Sequence, residues 1–394
     1  MKRITAIIIA MVMLMVGVCG CGSSSGGETT AAAGGSGGTD DNEHYTITCA
    51  NKTDPGSYGP YGAGPSRLPY NNMLYETMVY VNVDKEAQNV LITGYEEVSD
   101  GVYEATLYDY IHDTAGNKIT ASDVVFSFEK AEESGFYANV LSSLKSIEAK
   151  DDYTVVLTFE NEKDSDLLTV LSSINIISEA AWNASSDEMT HDCIGTSPYK
   201  IDSYEEGSYV DFVKANDYWQ TDESLIADCS LSNIDTVKWV VIADSNAAAV
   251  SLENGEVDNV MAMDTADFHM FINEDNTPVE GYQASIQPHN LMYGMVFNCS
   301  ENSVCGDENV RKAIATCVDN EALVANVLSG YGRVLGNYCN PAFADYDESF
   351  EHADDYYNYD VDAAKKFVED SGYNGETIKM LVGGNGNCIA ASVL

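Results

Sequence analysis

The chain has 394 residues, 45% of them hydrophobic and 10% aromatic, enough apolar material for two or three compact units and against a disordered chain. It carries 63 Asp and Glu against 19 Lys and Arg, a net charge of −44. A surface this negative repels phosphate backbones and anionic headgroups, so nucleic acid is excluded as a partner; the balance gives a solvated acidic face, with a preference for cationic ligands as the sharper alternative.

At the start, Lys2 and Arg3 precede the apolar run ITAIIIAMVMLMVGV, which is too short and too early for a comfortable membrane span. Residues 1–20 therefore read as a signal peptide. Val18-Cys19-Gly20-Cys21 resembles a bacterial lipobox, in which cleavage leaves Cys21 as a lipid-modified terminus. Residues 21–44 are Gly, Ser, Thr, Ala and acidic residues, the composition of a flexible tether. These features predict an extracytoplasmic lipoprotein anchored to the cell membrane. An ordinary secretory signal with incidental cysteines is the alternative.

Further along, Tyr45–Ala50 reads as a first strand, and 51–70, rich in Gly, Pro and Tyr, as irregular chain. Thr120-Ala-Ser-Asp123 is a capping box opening a helix over VVFSFEKA. Two hairpins are predicted, one over 145–159 turning at Lys150-Asp151-Asp152, the other over 198–214 turning at Glu206-Gly207. Thr236–Ala243 is a strand, followed by a helix over 245–254 that Gly255 stops. In NVRKAIATCV the residues Val310, Ala313, Ile314, Cys317 and Val318 form one helical stripe. Asp360 caps a helix over VDAAKKFV. The mixture fits an α/β fold with interior strands.

Eight cysteines follow Cys21, an even number that an extracytoplasmic setting would allow to pair. The chain is large enough to need no staples, and Cys317 falls on the stripe just described. Most are expected to be free, buried thiols. No Cys or His spacing suits zinc, and the acidic stretch 345–360 lacks the order and the glycine of a calcium loop. No nucleophile elbow, P-loop or HExxH is present, and the six His residues are scattered. The expectation is a protein without catalytic residues, metal or cofactor.

Several collinear segments resemble the extracellular solute-binding proteins of ABC importers, family 5, of oligopeptide, dipeptide and nickel-binding type. Gly195-Thr-Ser-Pro198-Tyr199 and, after the hairpin, Ala215-Asn216-Asp-Tyr218-Trp219 are similar to that family's "GTGPY" and "rNpdYW" pieces. Leu74-Tyr-Glu-Thr-Met78 is similar to the "lyEgL" helix, and Ile119–Ser127 to "ltAeDVvfS". Glu253–Asp258 with Gly255, Phe297-Asn298, Asp307–Ile314 with Arg311, and Asp362–Phe367 with Gly372-Tyr373 complete the set. Read on their own chemistry, these residues identify the fold. Tyr218 and Trp219 are core anchors, Gly195 and Pro198 shape a turn, and Arg311 makes a structural pair.

The resemblance implies a two-lobed, periplasmic-binding-protein-like fold. Lobe I would be discontinuous over 45–69 and 175–285, with an inserted subdomain over 70–174. A partial lobe II over 286–394 would follow a crossover strand at 291–298. The family continues beyond the Asp362–Tyr373 helix, so the resemblance also implies a C-terminally truncated second lobe in which Thr377–Val382 is the next strand. Solute would be engulfed between lobes and offered to permease subunits by a monomeric, membrane-tethered protein. In the family the cleft is lined by the stretch matching Ala63–Arg67, which nominates Pro65, Ser66 and Arg67, by an aromatic of the subdomain, here Tyr137, and by the crossover strand, here Tyr293. Arg67 would pair a ligand carboxylate or merely balance nearby acids. Tyr58, Tyr61 and Tyr293 either stack on ligand or fill core. The implied ligand is a peptide. The alternatives are the same fold serving nickel, an oligosaccharide or a signalling peptide, a non-functional truncated relative, or a secreted enzyme, for which no motif speaks.

Overall fold

A computed structural model describes residues 44–62, 68–82, 85–160, 166–261, 263–286, 292–335, 349, 358–382 and 391–392. In chain order these form β1 (Thr46–Asn51), α1 (Leu68–Leu74), β2 (Val79–Val81), β3 (Ala87–Asn89), β4 (Ile92–Ser99), β5 (Val102–Leu107), α2 (Ala121–Ser134), β6 (Leu144–Ala149), β7 (Thr154–Phe159), α3 (Asp166–Ser173) and α4 (Glu179–Ala184). There follow β8 (Tyr199–Glu205), β9 (Tyr209–Lys214), β10 (Thr236–Val241), α5 (Ser245–Glu253), β11 (Asn259–Val260), α6 (Glu308–Cys317), α7 (Asn320–Val327) and α8 (Val361–Glu369).

The first sheet runs β11-β1-β10-β9-β8. Its first three strands are parallel, with Cys49 opposite Trp239 and Asn259, and β10, β9 and β8 continue antiparallel. Tyr45 and Thr48 anchor β1 at its two flanks, their amides reaching the Asp235 and Asp258 carboxylates at 2.7 Å each. The predicted second hairpin is β8 and β9, with Gly207 at φ +74° in the turn, a conformation that favours glycine.

A separate antiparallel sheet, β4-β5-β7-β6, contains the other predicted hairpin. β7 alternates as a half-buried strand should, with Val155, Leu157 and Phe159 inside. α2 lies on this sheet through Ala121, Val124, Ser127, Phe128 and Ala131. Its capping box forms as the sequence predicts: the Thr120 amide donates to Asp123 Oδ2 at 2.8 Å, while Asp123 Oδ1 also accepts the Glu179 amide opening α4. One apolar core underlies both sheets, from Cys49 through Tyr70, Leu74, Leu157 and Ile176 to Phe212 and Trp239.

Four local expectations are corrected. Leu74–Met78 is not a helix: α1 stops at Leu74, and Glu76 instead bridges Ile176 in antiparallel fashion because its carboxylate is drawn inward to buried donors. On α6 the buried face is Val310, Ala313 and Thr316, turned toward α8 and its Ala364, so Cys317 is exposed. The helix ends at Cys317, and Val318 is already extended at φ −89°, ψ 122°, which takes the last residues out of the stripe. Residues 292–298 and 377–382 carry no strand pairing among the described residues, and Val296 and Leu381 stand 90% and 98% exposed. A strand is defined by its neighbour, and here no described segment supplies one. The cysteines split three ways: all six described thiols are free, but only Cys49 and Cys305 are buried, Cys193 is half-buried, and Cys229, Cys299 and Cys317 are exposed.

Candidate functional site

In a sheet with parallel strands the natural crevice lies outside their carboxyl ends, where connecting loops separate. Here three such ends meet, at Asn51, Val241 and Val260. The loops leaving them are stitched together. The Ile242 amide reaches Asn51 O at 2.9 Å, and the Met261 amide reaches Ala50 O at 2.9 Å. Lys52 extends from the end of β1 to the carboxylate of Asp264, whose own amide donates to Ser245 Oγ at 2.9 Å. Asp244 caps α5 by accepting the Ala247 amide at 2.8 Å. Among the described residues the edge thus presents the Lys52 ammonium with the carboxylates of Asp244 and Asp264.

The loop after β1 is walled by aromatic rings. Tyr58 and Tyr61 are both buried in the core, where the core-filling alternative puts them. Tyr58 packs edge-on against Tyr70 and Tyr204 at 5.8 Å each. Tyr61 donates its hydroxyl to Asn175 O at 2.6 Å, and burial pushes its phenol well above the usual range. Tyr137 meets Tyr61 edge-on at 6.2 Å and points its hydroxyl to Pro60 O at 3.5 Å. The subdomain aromatic nominated from sequence therefore sits against the segment that leads into Ala63–Arg67. Pro65, Ser66 and Arg67 themselves, like Cys21, lie outside the described residues. Tyr293 is 51% exposed on the extended stretch 292–298.

The signature residues lie around this frame. Gly195 passes so close to the end of α1 that an added Cβ would sit 2.0 Å from Leu74 O. Pro198 O accepts the Ala215 amide at 2.7 Å, and Tyr199 donates to Ile234 O at 2.7 Å. Asn216 is exposed. Gly255 takes φ +71° after α5, and Asp258 ties β11 to β1. Asn298 turns inward on its own loop, accepting the Ser300 amide at 3.1 Å. Arg311 donates to the carbonyls of Cys305 and Gly306 at 2.8 and 3.0 Å.

Sequence reasoning missed the polar knot beneath these residues. Glu76, buried at 4% exposure, accepts the Tyr218 hydroxyl at 2.7 Å, the Trp219 indole N–H at 2.9 Å and the Ser230 hydroxyl at 2.5 Å. Desolvation holds its carboxyl above the ordinary range, opposed by these three donors. The Lys52–Asp264 contact was missed as well, because nothing local joins residues 212 positions apart. Among the described residues no group of His, Cys, Asp and Glu is placed to hold a metal, and no helix is long and apolar enough to cross a membrane.

The family model "Bacterial extracellular solute-binding proteins, family 5 Middle" matches residues 86–388, well over half of the chain. The oligopeptide-binding protein AppA of Bacillus subtilis is 24% identical over 346 residues, covering 81% of this chain and 58% of its own length. The glutathione-binding protein GsiB of Escherichia coli K12 is 22% identical, covering 76% of this chain and 56% of its own length. The structure of AppA in complex with a nonapeptide superposes with a TM-score of 0.65 at 19% identity, over 85% of this chain and 66% of that one. The α/β architecture is accordingly that of the periplasmic-binding-protein-like fold, and the chain spans a little over half the length of these relatives. It is a member of the bacterial extracellular solute-binding proteins, family 5.

Proposed function

We propose that the chain captures peptides outside the membrane as the solute-binding component of an ABC importer. The observation that carries this reading is the edge at the carboxyl ends of β1, β10 and β11, where Lys52 and Asp264 lie side by side. A free peptide ends in an ammonium and a carboxylate, and adjacent groups of both signs suit such a zwitterion better than they suit a simple anion or a sugar. Tyr137 and the loop before Ala63–Arg67 would line the approach, with Pro65, Ser66 and Arg67 at its rim and Tyr293 facing from 292–298. In this reading residues 45–69 and 175–285 form one lobe, 70–174 an inserted subdomain and 286–394 part of a second lobe. Cys21 carries the lipid anchor, and the permease subunits receive the loaded monomer. The names of AppA and GsiB support a peptide-like solute.

The test is thermal unfolding with and without a pool of di- to penta-peptides. A ligand bound only by the folded chain, at about a hundred times its dissociation constant, adds about 2.7 kcal/mol. A raised midpoint that Lys52→Ala abolishes supports the reading. A sharp transition that no peptide moves refutes it.

A further inference from the structure

A cavity of about 560 Å³ opens between the turn of helix at Thr265–Met270 with the loop after it and the segment 329–331. Thr265, His269, Glu274 and Asn276 form one wall, Ser329 and Tyr331 the other. No Lys or Arg is among the described residues lining it. Its polar groups are one carboxylate and one imidazole beside the hydroxyls and amides of Thr265, Asn273, Asn276 and Ser329. Glu274 supplies a carboxylate. His269 Nδ1 lies 2.8 Å from Ala266 O, and because a carbonyl only accepts, the tautomer this contact selects carries its proton on Nδ1 and offers Nε2 as acceptor. Tyr331 supplies an aromatic face, braced edge-on by Phe268 at 4.8 Å.

The walls are also held in shape. Asn276 at φ 63° and Ser329 at φ 51° are two of the five described non-glycine residues in the left-handed region, and they stand on opposite walls. The Asn276 amide donates to Asn273 O at 2.9 Å, and the Gly330 amide to Val324 O at 3.1 Å. Behind the first wall, Phe268 packs on a small core of Ala249, Phe271 and Ile272.

We propose that this cavity is a binding site for a small organic cation bearing a primary ammonium group. The ammonium would pair with the Glu274 carboxylate and donate to Nε2 of His269, while Tyr331 covers its carbon chain and receives the charge on its ring face. The volume suits a molecule of a few to a dozen heavy atoms. The net charge of −44 raises the local concentration of any such cation, and the cavity converts that diffuse attraction into a site.

The test is calorimetric titration of the full chain with 1,5-diaminopentane and with its uncharged counterpart 1,5-pentanediol. The carboxylates at the sheet edge could attract the same ammonium groups, so the Glu274→Gln variant is what separates this cavity from peptide capture there. Saturable one-site binding of the diamine is expected, with the diol at least about tenfold weaker. Glu274→Gln and Tyr331→Ala should each weaken the diamine by about fivefold or more, and both positions are exposed or half-exposed enough to leave the fold intact. Asp362→Asn, which removes a remote exposed carboxylate, should change nothing. Absence of saturable binding, binding that Glu274→Gln leaves unchanged, or equal weakening by Asp362→Asn would overturn the proposal.

Discussion

Trp219 donates its indole N–H to Glu76 at 2.9 Å across 143 residues of chain. With Tyr218 and Ser230 on the same carboxylate, that contact fastens the segment after α1 to the chain beyond β9. A buried charge is costly unless its lone pairs are filled, and here three donors fill them.

Replacing Glu76 should therefore destabilise more than its surroundings suggest. Glu76→Ala leaves three buried donors without an acceptor, at a cost of about 3–5 kcal/mol. Glu76→Gln keeps one acceptor but turns an N–H₂ toward a donor, at about 2–3 kcal/mol. Urea unfolding of both variants against the parent checks the order.

The same carboxylate makes a pH prediction. Its folded-state pKa is raised by desolvation, so the folded chain binds more protons there than the unfolded chain does. That contribution to stability is fully present below the unfolded carboxylate pKa and is lost as pH rises through the folded one. The stability difference between parent and Glu76→Gln should accordingly shrink from acid toward neutral pH. Denaturation curves collected for both proteins across that range measure it, and a difference that grows with pH would refute the assignment.

Gly195→Ala should be far worse than an ordinary glycine substitution. Its new Cβ would meet Leu74 O at 2.0 Å, and a backbone carbonyl at a helix end cannot step aside. A loss of about 3 kcal/mol is expected. Gly94→Ala, where a Cβ would meet nothing within 4 Å, serves as the control and should shift the melting midpoint little.

Thiol reactivity should separate the cysteines by environment. Burial pushes the Cys49 thiol up to about 11 and the Cys193 thiol up to about 12, so neither supplies much thiolate near neutrality. Iodoacetamide at mildly alkaline pH should modify exposed Cys299 and Cys317 first and leave Cys49 and Cys193 until the chain unfolds. Peptide mapping by mass spectrometry at timed intervals gives the order.

What could be read from sequence was what local chemistry dictates. The turns at Lys150–Asp152 and Glu206–Gly207, the Thr120–Asp123 box and the Asp360 cap each act within a few residues, and each forms. The α6 stripe holds at Val310 and Ala313 but ends on Thr316 instead of Cys317, because the packing of α8 against it has no local signature. Glu76 stood inside a recognised motif, yet its role depends on donors 142 to 154 residues away. The candidate crevice was hidden for the same reason, since it exists only once β1 lies between β10 and β11.

That placement of β1 has a consequence in time. The strand is made first, but its partners at Thr236–Val241 and Asn259–Val260 come some two hundred residues later. At about 5–20 residues per second a ribosome needs on the order of 10–40 s to deliver them. Throughout that interval Thr46–Asn51 has neither neighbour, and the first sheet cannot close around it.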